Sequence, residues 1–279
     1  MKIAVCIKQV VTREWQLRVN DAKTWIRDQD ASFELNEPDA YALEEALRQK
    51  EKHTGEVVVC SAGPARTAQV IREALARGAD RAVLLAHGAG ADRRAPALVA
   101  VAEALADARV PSLCFDYPYR VAGRRAPDRP AVLASATRDA AADLTRRARV
   151  APQRLVLGGR SMGGRVCSLI AADEEDPFPA LGLLLLGYPL HPAGKPEQRR
   201  DAHFSRLRMP VLFVSGARDS LAPRAQLAKS ARKLKGAVTL HWLESADHGF
   251  RPLRASGLTR DDVLADVVET SVTWVQSVR

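Results

Sequence analysis

Cysteine is scarce in this chain: 279 residues hold four, and no two fall in C-x-x-C spacing. That excludes a scaffold stapled by disulfides and a zinc ribbon. Cys6, Cys60, Cys114 and Cys167 lie in apolar, strand-like or helix-like surroundings, which predicts reduced, buried packing residues in a cytoplasmic protein. Long hydrophobic runs are missing as well. None approaches the roughly 20 apolar residues that cross a bilayer. Residues 1–8 are broken by a lysine before the apolar centre of a signal peptide can develop. The 17 glycines and 16 prolines fit neither a collagen-like nor a largely disordered chain. Internal repeats, low-complexity tracts and Gly/Ser linkers are absent.

What is present is an ordinary globular composition, 47% apolar and 27% charged, enough for one large or two small domains. The net charge of +9 is unevenly placed. Residues 1–85 carry 13 basic and 13 acidic side chains, so all of the excess belongs to the remainder. Its arginines are scattered, as in Arg124-Arg125, Arg146-Arg147 and Arg199-Arg200, without interleaved aromatics. That is a solvated surface rather than a nucleic-acid footprint. The asymmetry also suggests that the two parts have different histories.

Beyond residue 80 the chain alternates strand and helix. Strands are expected at 81–86, 110–115, 154–157, 181–186, 211–214 and 238–242, with helices near 96–108, 131–147, 164–172, 223–234 and 260–278. Six strands separated by helices argue for an α/β domain with a mostly parallel sheet. The first 80 residues repeat the pattern differently. They read as a strand at 2–7, hairpin character over 17–36 turning at Asn20-Asp21, and a helix over 38–52 entered through Asn36. A strand at 56–60 and a helix over 65–77, closed by Gly78, complete this part.

Gly159-Arg160-Ser161-Met162-Gly163 matches G-x-S-x-G between a strand and a helix. In that context the two glycines permit a sharp turn that exposes the Ser161 hydroxyl, and the Met162 N–H becomes a candidate oxyanion donor. His87-Gly88-Ala89-Gly90 follows the strand ending at Ala86, where small residues let backbone N–H groups approach a substrate oxygen. Ala89 is the candidate second donor, and His87 is expected to fix the loop rather than act as a base. Asp219 lies just beyond a strand end, and His248 just after the last strand. The order Ser161, Asp219, His248 is that of an α/β-hydrolase triad: nucleophile, orienting acid, base. Asp247 is a poorer acid because an adjacent side chain rarely points at the imidazole of His248. His53, His191, His203 and His241 read as surface or packing residues. Arg160 and Arg165 flank the turn and could attract an anionic substrate, against the plainer reading of exposed helix arginines.

From about residue 81 to 279 the chain resembles the dienelactone-hydrolase-like branch of the α/β-hydrolases. The resemblance rests on VLLAHGAGA at 83–91, FDYPYR at 115–120, GRRAPDRP at 123–130, GGRSMGGRV at 158–166, LGYPLHPAGKPE at 186–197, VSGARD at 214–219 and DHGF at 247–250. It implies a three-layer domain that hydrolyses an ester or related acyl compound without a metal or organic cofactor. Residues 1–82 resemble the electron transfer flavoprotein β subunit through MKIAVCIKQVV, TWIRDQDASFELNEPDAYALEEALRQKE, GEVVVCSAGPA and VIREALARGADRA. That likeness covers only about the first third of such a subunit. It implies an AMP pocket near Gln9, Asn36 and Asp39, but the later phosphate loop and the segments that meet the α subunit around FAD are missing here.

The expectation is therefore a truncated flavoprotein-β-like segment over 1–80 and an α/β-hydrolase domain over 81–279. The catalytic set is Ser161, Asp219 and His248, with Met162 and Ala89 as the oxyanion donors. His87, Gly88, Gly90, Gly159 and Gly163 support the loops. A small-molecule acyl substrate is expected, with no cofactor, metal, nucleic acid, membrane or flavoprotein α subunit. The alternatives are a flavoprotein-β-like fragment that binds an adenine nucleotide or an α subunit, and a chimera without function. One conflict is visible in advance. The strand at 81–86 suits both families but cannot offer the same edge to two neighbours, and the hydrolase pairing, which brings six strands, is expected to win. Residues 1–80 would then dock on an outer edge, replace the first two hydrolase strands, or stay mobile.

Overall fold

The computed structural model describes residues 2–12, 15–16, 18–21, 24, 27, 31–53, 55–63, 65–76 and 81–278. The chain divides into two compact units, Met1–Ala79 and Asp80–Arg279.

The first unit runs β1 (Lys2–Cys6), β2 (Gln9–Val11), β3 (Phe33–Leu35), α1 (Glu37–His53), β4 (Glu56–Cys60) and α2 (Ala68–Ala76). β1 and β4 pair in parallel, and β2 and β3 pair antiparallel. Val5, Ile7, Leu35, Leu43 and Val70 form its small core. The antiparallel pairing begins at Gln9↔Leu35, so its first strand lies upstream of the expected hairpin. The β-branched Val10 and Val11 continue the extended path of β1, and Leu35 supplies the buried residue on the other side. Leu17 and the expected Gly78 helix stop fall outside the described residues.

The cysteines depart from expectation in this unit. Cys6 and Cys60 are exposed, whereas Cys114 is half-buried and Cys167 buried. Alternation along β1 turns Val5 inward and Lys2, Ala4 and Cys6 outward. Only one face of this two-stranded ribbon rests on the core.

The second unit contains β5 (Ala82–Ala86), α3 (Pro96–Asp107), β6 (Ser112–Phe115), α4 (Pro118–Val121), α5 (Pro130–Ala148) and β7 (Leu155–Arg160). It continues with α6 (Met162–Ala171), β8 (Gly182–Leu186), β9 (Val211–Gly216), α7 (Arg224–Ala231), β10 (Val238–Leu243) and α8 (Arg260–Ser277). Its strands form one sheet in the order β10-β9-β8-β7-β5-β6, and each pairing is parallel. β5 gives one edge to β6 and the other to β7, while β4 pairs with β1. The contested strand is thus fully used inside the six-stranded sheet.

Alternation builds the three layers. Leu84, Leu157, Leu185 and Phe213 face one side, where Leu133 and Leu144 of α5, Ile170 of α6 and Leu227 of α7 pack. Val83, Val156, Leu184 and Leu212 face the other, against Leu98 and Val101 of α3 and Val263 and Val267 of α8. Strands covered on both faces read as continuous apolar runs, which is why β5 is wholly buried. The strand order reverses between β5 and its neighbours β6 and β7, opening a crevice at the carboxyl ends of β5 and β7.

Candidate active site

Each candidate residue follows a strand end bordering that region: the loop at 87–90 after β5, Ser161 after β7, Asp219 after β9 and His248 after β10. Ser161 joins β7 to α6 with φ 51° and ψ −112°, a backbone conformation that a non-glycine residue adopts only under strain. The flanking glycines are dictated by contact. A Cβ on Gly159 would sit 2.5 Å from Ala86 O, and one on Gly163 would sit 2.7 Å from His87 O. The end of β5 therefore leaves no room for a side chain at either position.

The structure brings Ser161, His248 and Asp219 together. Ser161 Oγ lies 3.1 Å from His248 Nε2, and His248 Nδ1 lies 2.7 Å from Asp219 Oδ2. The Asp219 carboxylate is buried, and its other oxygen accepts the Leu221 N–H at 2.8 Å. Backbone bonds tie the two loops together: Ala217 N–H donates to Leu243 O and Arg218 N–H to Ala246 O, each at 3.0 Å. Asp247 turns into its own loop, where Oδ1 accepts the N–H groups of Gly249 at 2.7 Å and Arg251 at 3.0 Å. It is not bonded to the imidazole.

The 87–90 loop stands beside Ser161, since a Cβ on Gly88 would lie 3.6 Å from Ser161 Cβ. His87 is buried. Its Nδ1 donates to Gly88 O at 2.8 Å, and its Nε2 accepts the Tyr117 N–H at 3.2 Å. Burial lowers its pKa, so the ring is a neutral tautomer with both nitrogens used. Asp116 lies 3.9 Å from Nε2, too far to outweigh that desolvation. Tyr119 Oη donates to Ala89 O at 2.8 Å and fixes the same loop from above. Among the described residues, the N–H groups of Ala89 and Met162 have no acceptor. That of Met162 opens α6 and adds the helix dipole.

Two contributors escaped sequence reasoning, and a third was singled out for a different role. Tyr117 and Tyr119 belong to FDYPYR, whose aromatic run was visible but whose role needed the loop opposite. Arg160 is the third, and here the expectation of an exposed helix arginine is corrected. It is the last residue of β7, and its guanidinium donates to Leu186 O at 3.2 Å, Gly187 O at 3.4 Å and His248 O. Burial pulls its pKa down to about 10, with Asp219 and Asp247 opposing. Arg165 is half-buried, its Nε without a partner.

None of the other histidines is bonded to Ser161. His203 is bonded to Ser168 at 2.8 Å, His241 to Asp266 at 2.7 Å and His191 to Pro192 O at 2.9 Å. Among the described residues no cluster of three or more His, Cys, Asp or Glu side chains is arranged to hold a metal ion. No described helix is long and apolar enough to cross a membrane.

In the first unit, Lys8 N–H donates to Asp39 Oδ2 at 2.8 Å and Asn36 N–H to Lys8 O at 3.1 Å. The β1 end and the 36–39 segment are therefore adjacent. Gln9 points its amide at Arg66 O, 3.3 Å away.

Residues 79–276 match the family described as "Alpha/beta hydrolase domain". The chain belongs to the α/β-hydrolases. Solved structures agree on the fold. An alpha-beta serine hydrolase homologue from Coxiella burnetii superposes with a TM-score of 0.55 at 15% identity, over 70% of this chain and 85% of that one. Dienelactone hydrolase from Anabaena variabilis gives 0.53 at 22%, over 71% and 87%. Curated relatives match a different part of the chain's ancestry. It is 42% identical to Protein FixA of Sinorhizobium fredii over 108 residues, 38% of this chain and 37% of that protein. It is 40% identical to the electron transfer flavoprotein subunit beta of Syntrophomonas wolfei over 106 residues, 38% of this chain and 41% of that one. The chain thus spans about two fifths of the curated relatives it matches, consistent with a chimera.

Proposed function

We propose that this α/β-hydrolase cleaves a small or medium carboxylic ester, thioester or related acyl compound through an acyl-enzyme. The observation that carries the reading is the continuous contact Ser161 Oγ–His248 Nε2–Asp219, at 3.1 Å and 2.7 Å. His248 takes the Ser161 proton as Oγ attacks the acyl carbonyl. Asp219, buried and already holding Nδ1, orients the ring and stabilises its protonated form. Charge developing on the carbonyl oxygen is received by the N–H groups of Met162 and Ala89. The protonated imidazole releases its proton to the leaving group. Water, deprotonated by the same ring, then returns the serine and frees the acid.

A fluorophosphonate probe tests this directly. It is expected to label Ser161 in the wild type and to leave Ser161→Ala unlabelled. A folded wild-type protein that stays unlabelled refutes the reading.

The adjacency of Lys8, Gln9, Asn36 and Asp39 supports a second, separate reading for the first unit, capture of an adenine nucleotide. Calorimetric titration of the full chain with AMP decides it, and absence of heat at millimolar ligand ends it.

A further inference from the structure

We propose that Arg160 is the positioning residue that holds nucleophile and base in register, its one planar guanidinium binding both the His248 carbonyl and the Leu186 carbonyl that receives the Ser161 N–H. This inference rests on the serine hydrolase reading for its kinetic arm and on geometry alone for its spectroscopic arm.

The relevant contacts share an acceptor. Leu186 O receives the Ser161 N–H at 2.9 Å and Arg160 Nη1 at 3.2 Å. Arg160 Nη2 donates to the carbonyl of His248 itself. One rigid fork therefore connects the strand end that seats Ser161 with the loop that carries the imidazole, across 88 positions of sequence. The guanidinium lies 4.2 Å over the Phe250 ring, and Phe250 holds φ 59° in the turn that follows the histidine. That strained turn needs an external restraint, and ring and carbonyl both find it in Arg160.

Two features show that the site is shaped for this group. Gly187 has φ 58°, and a Cβ there would come within 3.0 Å of Arg160 Cζ, so glycine keeps the space open. Among the described residues no carboxylate lies within ion-pair distance of Arg160, which leaves its donors to the carbonyls. Lysine could point one charge at one of them, but only a planar fork with several N–H groups spans them together.

The test uses the full chain carrying Arg160→Met, Arg160→Lys and Gly187→Ala, assayed on 4-nitrophenyl acetate and by nitrogen-15 NMR of labelled histidines. In Arg160→Met, kcat is expected to fall roughly 100-fold, since about an ångström of misplacement is costly at a reacting centre. KM should stay within about threefold, because substrate contacts are untouched. Arg160→Lys should recover part of kcat. The His248 Nδ1–H signal, sharp in the wild type, should broaden or vanish, while the buried His87 and His203 signals stay in place as proof of fold.

Gly187→Ala displaces the guanidinium without removing its charge, so it should show the same signature and serves if Arg160→Met does not fold. Wild-type kcat in either folded variant, or a loss confined to KM, overturns the proposal. A wild type inert to both ester and fluorophosphonate would sink the hydrolase reading instead. The His248 signal would still decide whether Arg160 positions the ring.

Discussion

His203 makes a pH dependence calculable. It lies on the turn between β8 and β9, is only 5% exposed, and bonds through Nε2 to Ser168 Oγ of α6 at 2.8 Å. The Ser168 hydroxyl donates to Arg165 O at 2.8 Å, so it accepts from a neutral ring protonated at Nε2. Burial first, then the charges of Arg165 and Arg206, pull the pKa of His203 from 6.5 down to about 4, against Asp201. The unfolded chain therefore binds a proton that the folded chain refuses between those values. Stability rises with pH through this window and falls as pH drops from 6.5 toward 4. The gap corresponds to about 3 kcal/mol at its acid end and about 2 kcal/mol near pH 5. A folded domain has only about 5–15 kcal/mol in hand.

His203→Gln retains a neutral N–H donor and removes the titration. At pH 8 the variant should be the less stable by about 1 kcal/mol, for its lost ring packing. At pH 5 that order should reverse, because only the wild type must resist protonation. Urea unfolding at both pH values, read by near-ultraviolet circular dichroism, checks this. His87, also depressed, is common to both proteins and cancels. Equal pH slopes for the two, or an NMR titration placing the folded His203 near 6.5, would refute the reasoning.

Gly163→Ala drives a Cβ into the carbonyls at the end of β5. A loss of about 2–3 kcal/mol is expected, a fall of about 5–10 °C in calorimetric Tm. Gly90→Ala, with nothing within 4 Å, should leave Tm unchanged. Cys6 and Cys60 are exposed register partners on adjacent parallel strands. Strand spacing of about 4.8 Å lies within disulfide reach. Hydrogen peroxide should join tryptic peptides 3–8 and 53–66, a link broken by dithiothreitol and absent in Cys6→Ser. Cys114 and Cys167, whose thiols burial pushes up to about 11 and about 12, should resist. Mass spectrometry showing mixed pairs would contradict that contrast.

Much of the second unit was legible because its signals are local. A parallel strand covered on both faces is a continuous apolar run, as in β5 and β8 and in the Leu-Val-Leu and Val-Leu-Phe-Val that open β7 and β9. The turn at Ser161 was legible for the same reason: strand, two glycines and a serine occupy a few consecutive residues. The first unit was less so. Its hairpin strand was expected near residue 17 rather than at Gln9–Val11, because three-residue strands carry no period to detect. Its outward cysteines were expected inside, since an apolar stretch does not announce which of its faces lacks a cover.

The sequence by itself determined the order of elements and the chemical types at the strand ends: a serine between glycines, an aspartate, and a histidine before the last helix. Periodicity and turn chemistry act over a few residues, so one chain suffices to read them. Tertiary structure decided which of these groups share space. It assigned both edges of β5, left Asp247 turned away while Asp219 met the imidazole, and enclosed Arg160 beneath the loops of Gly187 and His248. Those outcomes depend on the strand order β10-β9-β8-β7-β5-β6, which sets Arg160 against His248, 88 residues further along the chain. A guanidinium engages three carbonyls only once that order has brought them together.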